Sequence, residues 1–135
     1  MSKKGKRGTQ PESYKVINPF YSHLKLRDPR WEMLNMAGSP YGATMPDKYL
    51  IHPEYDNRLV EFKIIQPSGF VKMSTNQKSD WPTTIPQGLK FWVIAARDLQ
   101  GEDRYLLREK YYQLLFKPPN CQYILSKQNH KFLYL

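Results

Sequence analysis

Asp47, Glu61 and Lys63 are the residues whose types and spacing could carry chemistry. Glu61 and Lys63 sit in residues 58–65, RLVEFKII, a stretch that reads as a strand. Alternation along a strand puts Leu59, Glu61, Lys63 and Ile65 on one face, and Val60, Phe62 and Ile64 on the other. Charges on such a strand are costly to bury unless they are paired. Asp47 follows Pro46 at the start of the preceding strand, fourteen residues before Glu61. If the hairpin centres near Glu54 and Tyr55, Asp47 falls about opposite Lys63, and residues 47, 61 and 63 share one face. A slip of one residue would move Asp47 to the other face. Two carboxylates so placed could bridge one divalent ion. Mg²⁺ prefers oxygen ligands and keeps several waters, so the pair and the backbone carbonyl of Phe62 would suffice. Phosphodiester hydrolysis needs charge neutralised on phosphoryl oxygens and a water activated near neutral pH. Lys63 could orient or deprotonate that water and stabilise the developing negative charge.

The elements that must position these residues follow from the pattern around them. Residues 1–13, MSKKGKRGTQPES, are basic and nearly free of large apolar groups, and read as a flexible arm before one domain over 14–135. Pro19 interrupts any long helix in 14–27. Asp28-Pro29 is a good helix start, so a helix is expected through RWEMLNMA, ended by Gly38. DKYLIHP and RLVEFKII read as a strand pair across the turn PEYDN. Residues 74–77 open a short helix that Pro82 kinks or ends. LKFWVIAA is the clearest strand and EDRYLLREKYYQLLF the clearest helix, stopped by KPPN. The tail fits either a closing strand pair or a last helix. The expected fold is α/β, a small central mixed sheet flanked by helices in the order αββαβα.

Lys and Arg exceed Asp and Glu by 21 to 12, giving +9, which favours a polyanionic partner such as nucleic acid. Residues 1–30 alone carry +6, from eight basic residues against Glu12 and Asp28. Lys3, Lys4, Lys6 and Arg7 of the arm could follow phosphates, and Lys72, Lys78 and Arg97 lie near the candidate site in sequence. Tyr41 and Trp81 could stack on unpaired bases, with core packing the better reading. Anionic membrane binding has no amphipathic helix to support it. A single cysteine, Cys121, excludes a disulfide framework and fits a reducing intracellular setting, cytoplasm or nucleoid. No apolar run approaches the ~18–20 residues of a spanning helix, so a soluble protein is expected.

The segments MPD…LVEFKI…STNQ…GLKFWVI, over roughly residues 31–97, resemble the PD-(D/E)xK nuclease superfamily. Within it the likeness is to the small VRR-NUC type, related to Holliday-junction resolvases. The resemblance implies a restriction-endonuclease-like fold, with Asp47 and Glu61 as Mg²⁺ or Mn²⁺ ligands and Lys63 as the catalytic lysine. It also implies Gln77 as a supporting polar group and a glutamate on the first helix, for which Glu32 is best placed and Glu12 a weaker substitute. Thr44 stands where the family usually has a glycine, and the arginine pair that often follows the last strand is reduced to Arg97.

Plainer readings stand beside these. Asp47 can begin a strand after a turn, Glu61 and Lys63 can be a solvated pair, and Ser74-x-x-Gln77 is itself a capping box. His23, His52 and His130 lack ligand spacing, so zinc is not expected, and no glycine-rich phosphate loop follows a strand. His52 beside Pro53 reads as a turn residue. The expectation is a Mg²⁺-dependent endodeoxyribonuclease acting on branched DNA, with water attacking the scissile phosphorus. Cleaving both strands of a junction would want a homodimer, for which YILSKQNHKFLYL is the candidate surface. A basic nucleic-acid-binding or architectural protein without catalysis is the alternative.

Overall fold

In the computed structural model, which describes residues 12–35, 46–68, 71 and 75–119, the strand RLVEFKII organises the molecule. Four strands, β1 (Glu32–Asn35), β2 (Lys48–Ile51), β3 (Arg58–Ile64) and β4 (Trp92–Ala96), form one sheet in the order β1-β2-β3-β4. β1, β2 and β3 are successively antiparallel, and β4 lies parallel to β3. A parallel neighbour needs a crossover connection, and the helix α2 (Thr75–Thr84) lies in it. The remaining helices are α1 (Asn18–Arg27), continuing a π-helical turn at Ser13–Ile17, and α3 (Tyr105–Leu114), entered through a 3₁₀ turn at Glu102–Arg104.

The period-2 pattern of β3 divides the core into two layers. Val60 and Phe62 pack with Ile94 and Ala96 against Val16, Phe20 and Leu24 of the first helix and Tyr111, Tyr112 and Leu115 of the last. The opposite face carries Ile65, Val93 and Ala95 under Trp81 of α2 and Phe91. β4 is buried on both faces, which is why WVIAA is an unbroken apolar run. The Tyr111 hydroxyl ties α3 to the sheet by donating to the Ala95 carbonyl. Trp81 is fully buried, its ring 4.5 Å from that of Phe91, so it is a core residue and offers no base-stacking surface. Tyr41, Cys121, His130 and the whole segment 123–135 lie outside the described residues.

Pro19 does not break the first helix. Proline cannot donate to the carbonyl four residues back and its ring crowds it. The chain absorbs this with the π turn, in which the Asn18 N–H bonds the Ser13 carbonyl. The Lys15 carbonyl, left without the proline's N–H, takes the Leu99 N–H at 2.6 Å, and the Tyr14 carbonyl takes the Gln100 amide. The expected arm boundary also moves, since Glu12 already has helical dihedrals and Ser13 begins the π turn.

The helix expected at residues 30–37 is instead β1, so the order is αβββαβα. Asp28 accepts the Arg30 N–H at 3.1 Å, the same local bond a helix cap would begin with, but its other oxygen is taken by His52 at 2.8 Å and by Arg30. The chain therefore turns and pairs Glu32–Asn35 with β2. A local Asp-Pro signal serves either outcome, and sheet pairing decides between them. His52 is a buried residue beyond β2, its other nitrogen accepting the Glu54 N–H, in agreement with its reading as a turn residue.

Candidate active site

β2 and β3 bring the first two candidate residues face to face. Lys48 pairs with Val60, so one further step of the same register sets Asp47 opposite Glu61. The expected partner was Lys63, two residues on. A register difference of two preserves the face, so residues 47, 61 and 63 do share one side of the sheet. The Asp47 N–H donates to Glu61 Oε1 at 3.2 Å, and the Asp47 carboxylate in turn accepts the Phe62 N–H. The N–H and C=O of an extended residue point to the same edge of the strand. The Phe62 carbonyl is therefore directed toward β2, while Ile65, three residues on, bonds β4 through its N–H.

Gln77, from the first turn of α2, closes the site from above the sheet. Its amide N–H donates to Glu61 Oε2 at 3.0 Å, and its Oε1 accepts Lys63 Nζ at 2.9 Å. Lys63 Nζ lies 3.3 Å from the same Glu61 oxygen. The result is a closed network on the apolar face beside Val93 and Ala95, with Glu61 only 2% exposed. The Gln77 bonds to Glu61 and Lys63 lie within this network. Ser74, the other half of the capping box, lies outside the described residues.

Burial dominates the electrostatics. Glu61 is pushed up to about 7, first by burial and then by the charge of Asp47, against the opposing pull of Lys63 and Gln77. Burial likewise raises Asp47, against Lys63, Lys48 and the Phe62 N–H. A third carboxyl belongs to the same field. Glu12, at the start of the first helix, is raised to about 7 by burial and then by Asp47 and Glu61. Glu32, the better-placed candidate by sequence, is on β1, exposed and paired with Lys25 at 3.3 Å, whereas Glu12 lies in the electrostatic field of Asp47 and Glu61. Its assignment to the arm hid it. Lys48, whose charge opposes the carboxyls at Asp47 and Glu12, was not singled out, although it adjoins Asp47 in the chain.

Of the candidate DNA contacts, Lys78 is exposed on α2, and Arg97 is exposed just past β4 with one N–H on the Pro67 carbonyl. Lys3, Lys4, Lys6, Arg7 and Lys72 lie outside the described residues.

Among the described residues no three His, Cys, Asp or Glu side chains form a preassembled metal cage. The donor set is an Asp47–Glu61 pair, a main-chain carbonyl at Phe62 and Glu12 within electrostatic reach, all hard oxygens. That set fits Mg²⁺ or Mn²⁺ better than zinc, which favours nitrogen and sulfur. Glu61 Oε1 keeps a lone pair beyond the bond it accepts from Asp47, while Oε2 is taken by Gln77 and Lys63. No helix among the described residues is long and apolar enough to cross a membrane. Comparisons of the chain with known protein families, with curated proteins and with solved structures find no match.

Gln77 holds both Glu61 and Lys63 and is a positioning residue. Gln77→Ala is expected to lower any Mg²⁺-dependent turnover about 10–100-fold, in kcat rather than KM. Steady-state kinetics on a DNA substrate measures the split, and an unchanged kcat would remove Gln77 from the site.

Proposed function

We propose that this protein is a Mg²⁺-dependent endodeoxyribonuclease of the restriction-endonuclease-like kind, acting on branched or otherwise structured DNA. One observation carries the reading. Asp47 and Glu61 stand opposite each other on adjacent strands, with Lys63 and Gln77 hydrogen-bonded into the same buried network. A folded domain has no structural need for three carboxyls raised by burial, with repulsion from neighbouring carboxyls adding to it at Glu61 and Glu12, and a bound cation would offset that cost. The order of elements, a helix, three antiparallel strands, a crossover helix and a strand parallel to the third, is in keeping with the family resembled by the sequence.

Asp47 and Glu61 would hold the ion, with the Phe62 carbonyl and Glu12 as further oxygen donors. A Mg²⁺ ion held there would supply charge neutralisation on the phosphoryl oxygens and would lower the pKa of water. Lys63 holds the attacking water in line and balances the negative charge that develops on the phosphoryl group. Gln77 keeps the lysine and Glu61 in fixed relation. Trp81, Val93 and Ala95 keep bulk water from the inner side of the network.

The test is incubation of branched, duplex and single-stranded DNA with Mg²⁺, wild type beside Glu61→Ala. Nicking by wild type alone supports the reading. Equal nicking by both would come from a contaminant and end it, and DNA binding with no nicking would favour the non-catalytic alternative.

A further inference from the structure

Beside the carboxyl network, the ends of β3 and β4 border an open groove of about 440 Å³ whose lining includes Lys15, Ile64, Ile65, Pro67, Arg97 and Asp98. Its lining residues neighbour those of the candidate site along the chain. Lys15 lies three residues past Glu12 on the first helix, Ile64 follows Lys63 on β3, and Arg97 follows β4, whose Ala95 pairs with Lys63. The Lys15 main chain is pinned at the rim by the bond from Leu99, while its ammonium makes no hydrogen bond or ion pair among the described residues. Arg97 gives one N–H to the Pro67 carbonyl at 3.2 Å, leaving most of its five donors uncommitted. Asp98, the only carboxylate among the described residues of the lining, is engaged through Oδ1 by the Gln100 N–H at 2.9 Å.

Two cations over an apolar floor of Ile64, Ile65 and Pro67 match one unit of a nucleic-acid strand, an anionic phosphodiester with its apolar sugar face. The groove falls within the ~300–1,000 Å³ range of small-ligand sites, so it suits a single strand better than a whole duplex. We propose that it seats a backbone phosphate of the DNA strand adjoining the scissile one, with Lys15 and Arg97 pairing its oxygens. That the neighbouring phosphate is the scissile one rests on the nuclease reading. That the groove takes a phosphodiester does not.

The test is a salt titration of binding to a single-stranded oligonucleotide in EDTA, where no cleavage can occur. Lys15→Gln and Arg97→Gln are each expected to reduce the slope of log Kobs against log[salt] by about 0.7, the value for one phosphate contact on single strands. Lys15→Arg keeps the charge and should keep the slope. Lys110→Gln removes an exposed lysine of α3 outside the groove and should leave it unchanged. The proposal is overturned if both groove variants match wild type, if Lys110→Gln lowers the slope as much, or if wild type does not bind. The nuclease reading fails separately: wild type that binds with the groove-dependent slope yet never nicks DNA in Mg²⁺ keeps the groove and loses the enzyme.

Discussion

Lys63→Met is expected to lower Mg²⁺-dependent cleavage at least about a hundredfold and to leave DNA affinity nearly unchanged. Methionine keeps the length and apolar stem of the side chain, which is only 13% exposed, and removes the ammonium 2.9 Å from Gln77 and 3.3 Å from Glu61. Two routes to a lower rate must be separated. If Lys63 acts on the water and the developing charge, its loss is felt at every pH. If it acts only by lowering the pKa of Glu61, its loss raises that pKa further, and alkaline buffer restores the ionised carboxylate. The pH–rate profile of the variant distinguishes them. A deficit that persists well above pH 8 assigns the chemistry to the lysine. A full recovery there reduces Lys63 to a tuning role, and wild-type rates throughout would remove it from the mechanism.

Metal-free protein is expected to lose stability as pH rises from about 5 to about 8, and Mg²⁺ is expected to restore more of it at the upper end. Glu61 and Glu12 have an ordinary pKa of 4.5 and are held near 7 in the fold. A carboxyl raised in this way favours the folded state while it is protonated. Its contribution is complete below about 4.5 and is lost as pH climbs through about 7. At about 1.36 kcal/mol per pH unit, full ionisation of buried Glu61 corresponds to on the order of 3 kcal/mol, or several degrees in Tm. Asp28 and Glu109 behave oppositely. Hydrogen bonds from Arg30 and His52 lower the first, and from Arg27, Gln113 and His23 the second, so their contribution is lost only in acid. Thermal unfolding in EDTA from about pH 5 to 8, repeated in Mg²⁺, measures both effects, and Glu61→Gln should flatten the metal-free curve. A Tm flat across that range in EDTA, or a Mg²⁺ increment equal at both ends, would contradict the raised carboxyl cluster.

What the residues alone reveal at the site depends on how local each signal is. The alternation of β3 is a property of consecutive residues, so the common face of Glu61 and Lys63 was legible directly. The parity of Asp47 was legible too, since turn residues and strand lengths constrain the hairpin. Its partner was not, because sliding a hairpin by two residues leaves every side chain on its own face. The network through Gln77 joins residues brought together by the crossover from β3 to α2, and the sequence offered a capping box at the same position as an equally local use.

Composition and pattern by themselves determined a basic chain, an α/β order, the strands β2, β3 and β4 within a few residues, the last helix, and a face carrying Asp47, Glu61 and Lys63. Only the tertiary structure decided that residues 32–35 pair with β2 as a strand, that the first helix runs through Pro19, and that Glu12 rather than Glu32 shares the electrostatic field of the carboxyls. In each case the local preference was real but worth little against long-range terms. Asp28 could cap a helix or bind His52, and the free Lys15 carbonyl could be exposed or bonded by Leu99. Local preferences amount to a few tenths to about 1 kcal/mol, and pairing a strand or satisfying a buried carbonyl outweighs them.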